Sequence, residues 1–322
     1  MKTKGLKLTV LLPFVGLIAV TLFFIAITKG SFLSGSNLKI LLNQSYTVML
    51  VAAGATLIYA HGGIDFSIGS VLALSELCAA LIYIATGMSW LMLPMSIAVS
   101  VFCGFLTGII TVKLHVPPFI SSLCMQFACR GVLNVVVNTR RIGITELAAP
   151  GVGQRIPVLL IVLAVIWILL DYTKIGKSNK AIGENIRAAR TSGINVDRHR
   201  MYAYLISGVT LGIAAYFELM RSGTVTSNAG LGLEMDVIIA MVLGGLSLSG
   251  GYSASIRCAI VGSIIIVIIT NGLMLLGLPT SFIGIIKGVV FLAVVLFTYK
   301  RQKTELLPRY CGRNKKIQKT GG

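Results

Sequence analysis

The chain has 322 residues, 56% of them hydrophobic and only 12% charged, with a mean hydropathy of +0.90. Soluble domains carry roughly a quarter of their residues as charges, so a water-soluble enzyme or carrier is excluded and an integral membrane protein is indicated. The formal net charge of +18 does not point to nucleic acid: eighteen of the 28 Lys and Arg fall in residues 1–7, 172–200 and 300–322, with no basic surface interleaved with aromatics.

Ten apolar segments follow in chain order: 8–27, 40–60, 67–86, 90–112, 117–137, 156–171, 201–219, 235–248, 255–276 and 281–299. The first, after Lys2, Lys4 and Lys7, resembles a signal peptide. Its run of about 20 apolar residues is too long for one and no small-residue cleavage site follows, so it reads as a retained helix. Two segments are short. The run Val158–Leu170 covers about 20 Å as a helix and Met235–Leu246 about 18 Å, against a hydrocarbon core of roughly 30 Å. Each must extend through polar residues or form part of a broken helix in a protein-lined interior. The expectation is an all-α, polytopic transmembrane protein with about ten membrane segments, one transmembrane domain over residues 1–300 and a basic tail over 301–322. Basic residues favour the cytoplasmic side, and an even number of crossings puts both termini and the 172–200 loop there. Lys29, Lys39, Arg140, Arg141, Arg155 and Arg221 fall on the opposite side.

The sequence Gly62-Gly63-Ile64-Asp65-Phe66-Ser67-Ile68-Gly69-Ser70 returns, altered, as Gly244-Gly245-Leu246-Ser247-Leu248-Ser249-Gly250-Gly251-Tyr252-Ser253, and both copies interrupt apolar stretches. In lipid every backbone N–H and C=O must be satisfied internally, so such breaks survive only where protein buries them or they line a polar cavity. Matching interruptions in two halves point to a transport site. Val116-Pro117-Pro118-Phe119-Ile120 and Leu278-Pro279-Thr280-Ser281-Phe282 follow their breaks at comparable distance, which extends the echo into two parallel pseudo-repeats, near 40–137 and 235–299. The candidate translocation path is therefore Gly62, Gly63, Asp65, Ser67, Phe119, Arg130, Gly244, Gly245, Ser247 and Ser249. Asp65 has two readings: it caps the helix starting near Ile68, or its charge lines the path. Glu76, Glu218 and Lys287 also lie within or near spans and call for buried partners.

The loop from Gly176 to Ile194 encodes a short capped helix. Asn185 suits the N-cap, residues 186–191 are helix-compatible, and Gly193 fits the left-handed position with Ile194 folding back on Ala189. Two isolated turns are unstable in water, so this helix needs a partner surface, either a protein or the lipid headgroups.

Five motifs in order and spacing, GGIDFSIGS, VPPFISSL…RG, AIGENIRAARTSGI, GLGLEMD…GGLSLSGG and NGL, resemble the ribose/xylose/galactose-type permeases of bacterial ATP-binding cassette importers over roughly residues 40–295. The resemblance implies an assembly of two permease subunits, as a homodimer or heterodimer, with two cytoplasmic ATPase subunits and an extracytoplasmic sugar-binding protein. The site would be the bacterial cytoplasmic (inner) membrane, in contact with membrane lipid. It implies that Gly183, Glu184, Asn185, Ile186, Arg187, Ala188, Ala189, Arg190 and Gly193 couple to the ATPase. Arg140, Arg141 and Glu234 are the candidates for contact with the binding protein, and the solute would be a monosaccharide such as ribose, xylose or galactose. No cofactor or metal is expected on this chain; ATP and Mg belong to the ATPase. Three positions depart from the family pattern: Ser122 where threonine is usual, Glu184 in place of a small residue, and Arg257 near a helix start.

The chain has no GxxxxGK[ST] phosphate cradle and no G-x-S-x-G nucleophile turn, and His61, His115 and His199 are dispersed, so no enzyme chemistry is indicated. The cysteines show no ligand spacing. Two other functions share the pattern: an ion-coupled secondary transporter built on the same broken helices, and a non-transporting membrane scaffold.

Overall fold

A computed structural model describes residues 3–306 except 141, 145–146 and 148–150; side chains are described within 11–296, residue 152 apart. Twelve helices occur among the described residues: α1 Thr3–Ile27, α2 Gly35–Ala60, α3 Ile68–Thr86, α4 Met92–Lys113, α5 Pro118–Thr139, α6 Val152–Asp171, α7 Lys174–Glu184, α8 Ile186–Thr191, α9 Val196–Ser222, α10 Leu233–Leu243, α11 Ile256–Leu275 and α12 Thr280–Leu306. The predicted basic tail beyond residue 306 lies outside the described residues.

Each expected apolar segment overlaps a helix, and seven helices (α2, α3, α4, α5, α6, α9 and α11) are long and apolar enough to cross a membrane. The apolar parts of α1 and α12, Leu11–Ile27 and Thr280–Leu296, are shorter. The two short runs resolve differently. Val158–Leu170 extends backwards through Pro157 into the 20-residue α6. The segment expected over 235–248 is helical only over Leu233–Leu243, about 16 Å, too little to span the hydrocarbon alone.

The helix α2 lies at the centre, buried without interruption from Tyr46 to Ala60, as a helix apolar on every side must be. It packs between α9 and α11, and α9 packs in turn on α4. Small residues let these backbones approach: a Cβ added at Gly208 would stand 2.8 Å from the Cα of Val101. At the same contact Ser100 Oγ donates to the Gly208 carbonyl at 2.7 Å.

Two ends of the bundle are distinct. At one, strands β1 (Ile142–Gly143) and β2 (Thr224–Val225) pair antiparallel, with Ile142 opposite Val225, tying the chain after α5 to the chain after α9. At the other, α7 packs on α2, α6 and α9 and on a short 3-10 turn over Gly251–Ser253. Lys180 Nζ meets Asp171 Oδ1 at 2.5 Å and fixes α7 across the end of α6.

Gly208→Val should force Val101 and Ser100 aside and cost about 1–3 kcal/mol of stability, as overpacking does. Gly284→Ala, with no neighbour within 4 Å of the new Cβ, should cost nothing. Thermal unfolding of the detergent-purified variants distinguishes the two.

Candidate functional site: joined helix breaks and a polar cavity

Both glycine pairs end a helix in the same hydrogen-bonding pattern. After α2, Gly62 (φ 79) donates its N–H to the Tyr59 carbonyl at 3.0 Å and Gly63 donates to Ile58 at 3.1 Å. After α10, Gly245 (φ 98) donates to Val242 and Leu246 to Met241, both at 3.0 Å. A positive φ is cheap only for glycine. The left-handed residue is the first glycine of one pair and the second of the other, so the copies are used one residue out of register.

Beyond each turn a short side chain closes a local loop. Asp65 Oδ1 accepts the Ser67 backbone N–H at 2.8 Å and the Ser67 hydroxyl at 2.6 Å. Ser67 is the N-cap residue of α3 but makes no capping bond with its own side chain. In the second copy Ser247 Oγ accepts the Ser249 N–H at 3.4 Å. Asp65 and Ser67 are buried, whereas Gly245 and Ser249 are exposed.

The breaks touch each other and the 172–200 loop. A Cβ at Gly250 would lie 2.6 Å from the Gly62 nitrogen, and one at Gly62 would lie 3.0 Å from the Ser249 carbonyl oxygen. Gly183, in the last turn of α7, leaves no room for a Cβ between the Ala60 carbonyl and Gly251. Its neighbour Glu184 accepts the Tyr252 N–H on Oε1 at 2.8 Å. Three chain segments distant in sequence therefore form one joint.

From that joint α8 projects outward. Asn185 Oδ1 caps it by accepting the N–H groups of Arg187 at 3.0 Å and Ala188 at 3.1 Å. Gly193 (φ 81) closes it, with Ile194 donating to the Ala189 carbonyl at 3.1 Å. Ala189 packs with Ile182 and Val196, supported by Ile186 and Ile194. Arg187, Ala188 and Arg190 face solvent.

The first break then runs alongside α10. Phe66 donates its N–H to Ser122 Oγ at 3.1 Å, and Ser122 donates to the Phe119 carbonyl at 3.0 Å, so α5 anchors the break. The Phe119 ring itself is exposed. At its far end Gly69 abuts the Gly230 carbonyl and Glu234, just before and within the first turn of α10.

At this far end a cavity of about 770 Å³ opens between α2, α9, α10, α11 and α12. Its polar lining includes Thr47, Glu218, Arg221, Asn228, Asp236 and Lys287. Thr47 Oγ1 donates to Glu218 Oε2 at 2.8 Å, Glu218 pairs with Arg221, and Lys287 Nζ meets Asp236 Oδ1 at 2.6 Å. These are the partners that Glu218 and Lys287 required; Glu76 is buried with Oε1 unbonded among the described residues. None of the ten expected path residues lines this cavity. Its hallmark in the sequence is the presence of charges inside apolar segments, but the pairing is visible only in three dimensions.

Other expected residues sit as follows. Arg130 Nη1 donates to the carbonyls of Ser227 at 3.0 Å and Ala229 at 2.8 Å, so it holds the connector into α10. Arg140 is exposed beside β1, and Arg141 lies outside the described residues. Glu234 was expected on the outer contact surface but is only 7% exposed, because Gly69 packs against it. Arg155, just outside the expected segment 156–171, is a buried residue of α6. Among the described residues no group of three or more His, Cys, Asp or Glu is arranged to hold a metal.

Comparison with known proteins places these features in a family. The model for the branched-chain amino acid transport system / permease component matches residues 37–295. The chain is 33% identical to the ribose import permease protein RbsC of Escherichia coli K12, over 88% of this chain and 92% of that protein. It is 33% identical to the galactofuranose transporter permease protein YtfT of the same strain, over 87% and 84% of the two chains. Identity to the xylose transport system permease protein XylH of that strain is 29%, over 91% and 92%. No solved structure gives a significant match.

The Asp65 geometry generates a test of charge against hydrogen bonding. Asp65→Asn keeps an oxygen that accepts from Ser67 and should leave thermal stability near that of the parent. Asp65→Ala should cost about 0.5–2 kcal/mol, the usual loss of a helix-entry acceptor. Equal destabilisation by both substitutions would show that the charge matters more than the acceptor.

Proposed function

The chain belongs to the family of branched-chain amino acid transport system permease components, and on that premise we propose that it is the membrane subunit of an ATP-driven importer whose solute is a monosaccharide. The relatives that cover nearly the whole chain carry ribose, galactofuranose and xylose in their names, which favours a sugar as the solute. A cavity with carboxylate, amide, hydroxyl, guanidinium and ammonium groups suits a polyhydroxylated solute, which both donates and accepts hydrogen bonds. Its volume falls in the range of about 300–1,000 Å³ typical of small-molecule sites.

The joint at Gly183, Glu184, Gly62 and Gly250 carries the mechanistic reading. In the proposed orientation it faces the cytoplasm, with both termini on that side of the inner membrane. A partner ATPase, holding ATP and Mg, docks on the exposed face of α8. Its movement shifts α7, which pulls on the second break through Glu184 and Tyr252. The break continues into α10, whose other end carries Asp236 into the cavity. Opening and closing of the Asp236–Lys287 contact then follows the ATPase cycle. A sugar-binding protein delivers the solute at the β1–β2 end, near Arg140, and a second permease subunit completes the path. Specificity resides in the binding protein, so the cavity needs only weak, compensating hydrogen bonds.

The experiment is reconstitution of the chain with its cognate ATPase and binding protein in proteoliposomes, followed by uptake of labelled ribose, xylose and galactofuranose. ATP-dependent uptake is expected. Uptake that persists without the ATPase and collapses with the proton or sodium gradient would instead assign an ion-coupled carrier. Arg187→Glu combined with Arg190→Glu should lower ATP-driven uptake about tenfold or more, since like-charge contacts across an interface cost several kcal/mol. Glu184→Ala should preserve ATPase association yet reduce sugar moved per ATP hydrolysed, and Glu184→Gln, which keeps an acceptor for the Tyr252 N–H, should restore most of that ratio.

A further inference from the structure

A second concavity lies apart from the polar cavity and the joint. It is a groove of about 380 Å³ between α2, α6 and α11, walled by Leu38, Leu42, Leu159 and Ile264 among other apolar side chains. Asn43, Ser45, Tyr46 and Arg155 interrupt this lining, and two of them carry buried groups without partners. Tyr46 is 5% exposed and its hydroxyl has no hydrogen-bond partner among the described residues. Arg155 is 6% exposed; Nη1 donates to the neutral Asn43 Oδ1 at 3.1 Å and Nε has no partner. No carboxylate among the described residues lies within ion-pair distance of it.

A guanidinium is always charged, and burying it without an anion is costly. The surroundings indicate what kind of anion is needed. The walls belong to helices apolar enough to cross a membrane. Leu38 and Leu42 form an exposed ridge on α2, while Ile156, Leu160 and Ile161 of α6 face outward. Arg155 stands in the first turn of α6, at the boundary of a span, where lipid phosphates lie. We propose that this groove holds one anionic glycerophospholipid, its phosphate accepting hydrogen bonds from Arg155 and the Tyr46 hydroxyl and an acyl chain lying along Leu38, Leu42 and Leu159. The site depends on membrane insertion and not on the identity of the transported solute.

The test uses the full-length chain extracted with its native lipids, with retained phospholipid counted by native mass spectrometry. The parent should keep one anionic glycerophospholipid through detergent exchange. Arg155→Gln should weaken retention about tenfold, the usual worth of a charge-assisted hydrogen bond, and Tyr46→Phe by a smaller factor. Leu42→Trp keeps the charge but fills the groove from an exposed position, so it reads occupancy even if Arg155→Gln does not fold, and it should lose the lipid too. Phosphatidylglycerol added to delipidated parent should raise its unfolding temperature, whereas inorganic phosphate should not. Equal retention by the parent, Arg155→Gln and Leu42→Trp would overturn the proposal. So would conversion of a dimer to a monomer by Arg155→Gln with lipid content unchanged, which would assign the groove to a second copy of the chain.

Discussion

The organisation of this molecule depends on a place where main chain meets main chain with no side chain between. Gly183 lies against the Ala60 carbonyl and against Gly251, while Gly250 lies against the Gly62 nitrogen. In a membrane protein a broken helix is tolerable only if its exposed backbone groups find partners. Here each break closes its own helix end through glycine in the left-handed region, and the two breaks are then pressed together under α7. Backbones at this separation cannot slide independently, because packed interiors switch between discrete arrangements and do not deform continuously. The same contact that makes the breaks tolerable also links the loop to the helices.

That link explains the brevity of α10. A full-length helix would cross the membrane and take its position from both interfaces. At about 16 Å, α10 has one end in the joint and the other at the polar cavity. It is held to α11 by close approach at Gly262, where a Cβ would overlap the Ala240 carbonyl, and to α12 by Lys287 and Asp236. The first break runs beside it over the same distance, from Gly62 to Gly69. The Asp236–Lys287 pair is half-buried, and breaking it leaves each charge partly desolvated and without its partner. With such a pair at the cavity end of a short helix, the proposed cycle would carry displacements at the joint into the cavity.

Features set by local chemistry were legible in the sequence. The α8 helix follows from Asn185, Gly193 and Ile194, whose interactions span only a few residues, and the breaks follow from paired glycines in apolar runs. The preceding helix α7 was not anticipated. Its sequence is mostly polar, and the face it buries is Gly176, Asn179, Lys180 and Ile182, which no apolar periodicity marks, so its stability comes from the ends of α2, α6 and α9. Arg155 fell just outside the expected segment because the apolar run begins at 156, yet α6 begins four residues earlier, at Val152. The cavity was hidden altogether, because Thr47 with Glu218 and Asp236 with Lys287 are pairings across the fold.

The distribution of polar groups separates two uses of charge in one apolar chain. Around the polar cavity each charged lining residue has an internal partner, so a solute can enter without meeting an isolated charge that would bind it tightly and slow its release. In the groove at Arg155 the opposite holds: the guanidinium has only an amide, and its environment is apolar. A transport path that must release its solute favours the first arrangement, and a site meant to retain its occupant favours the second. The contrast follows from the electrostatics of burial, and it is what separates the proposed route of a passing solute from the proposed seat of a resident lipid.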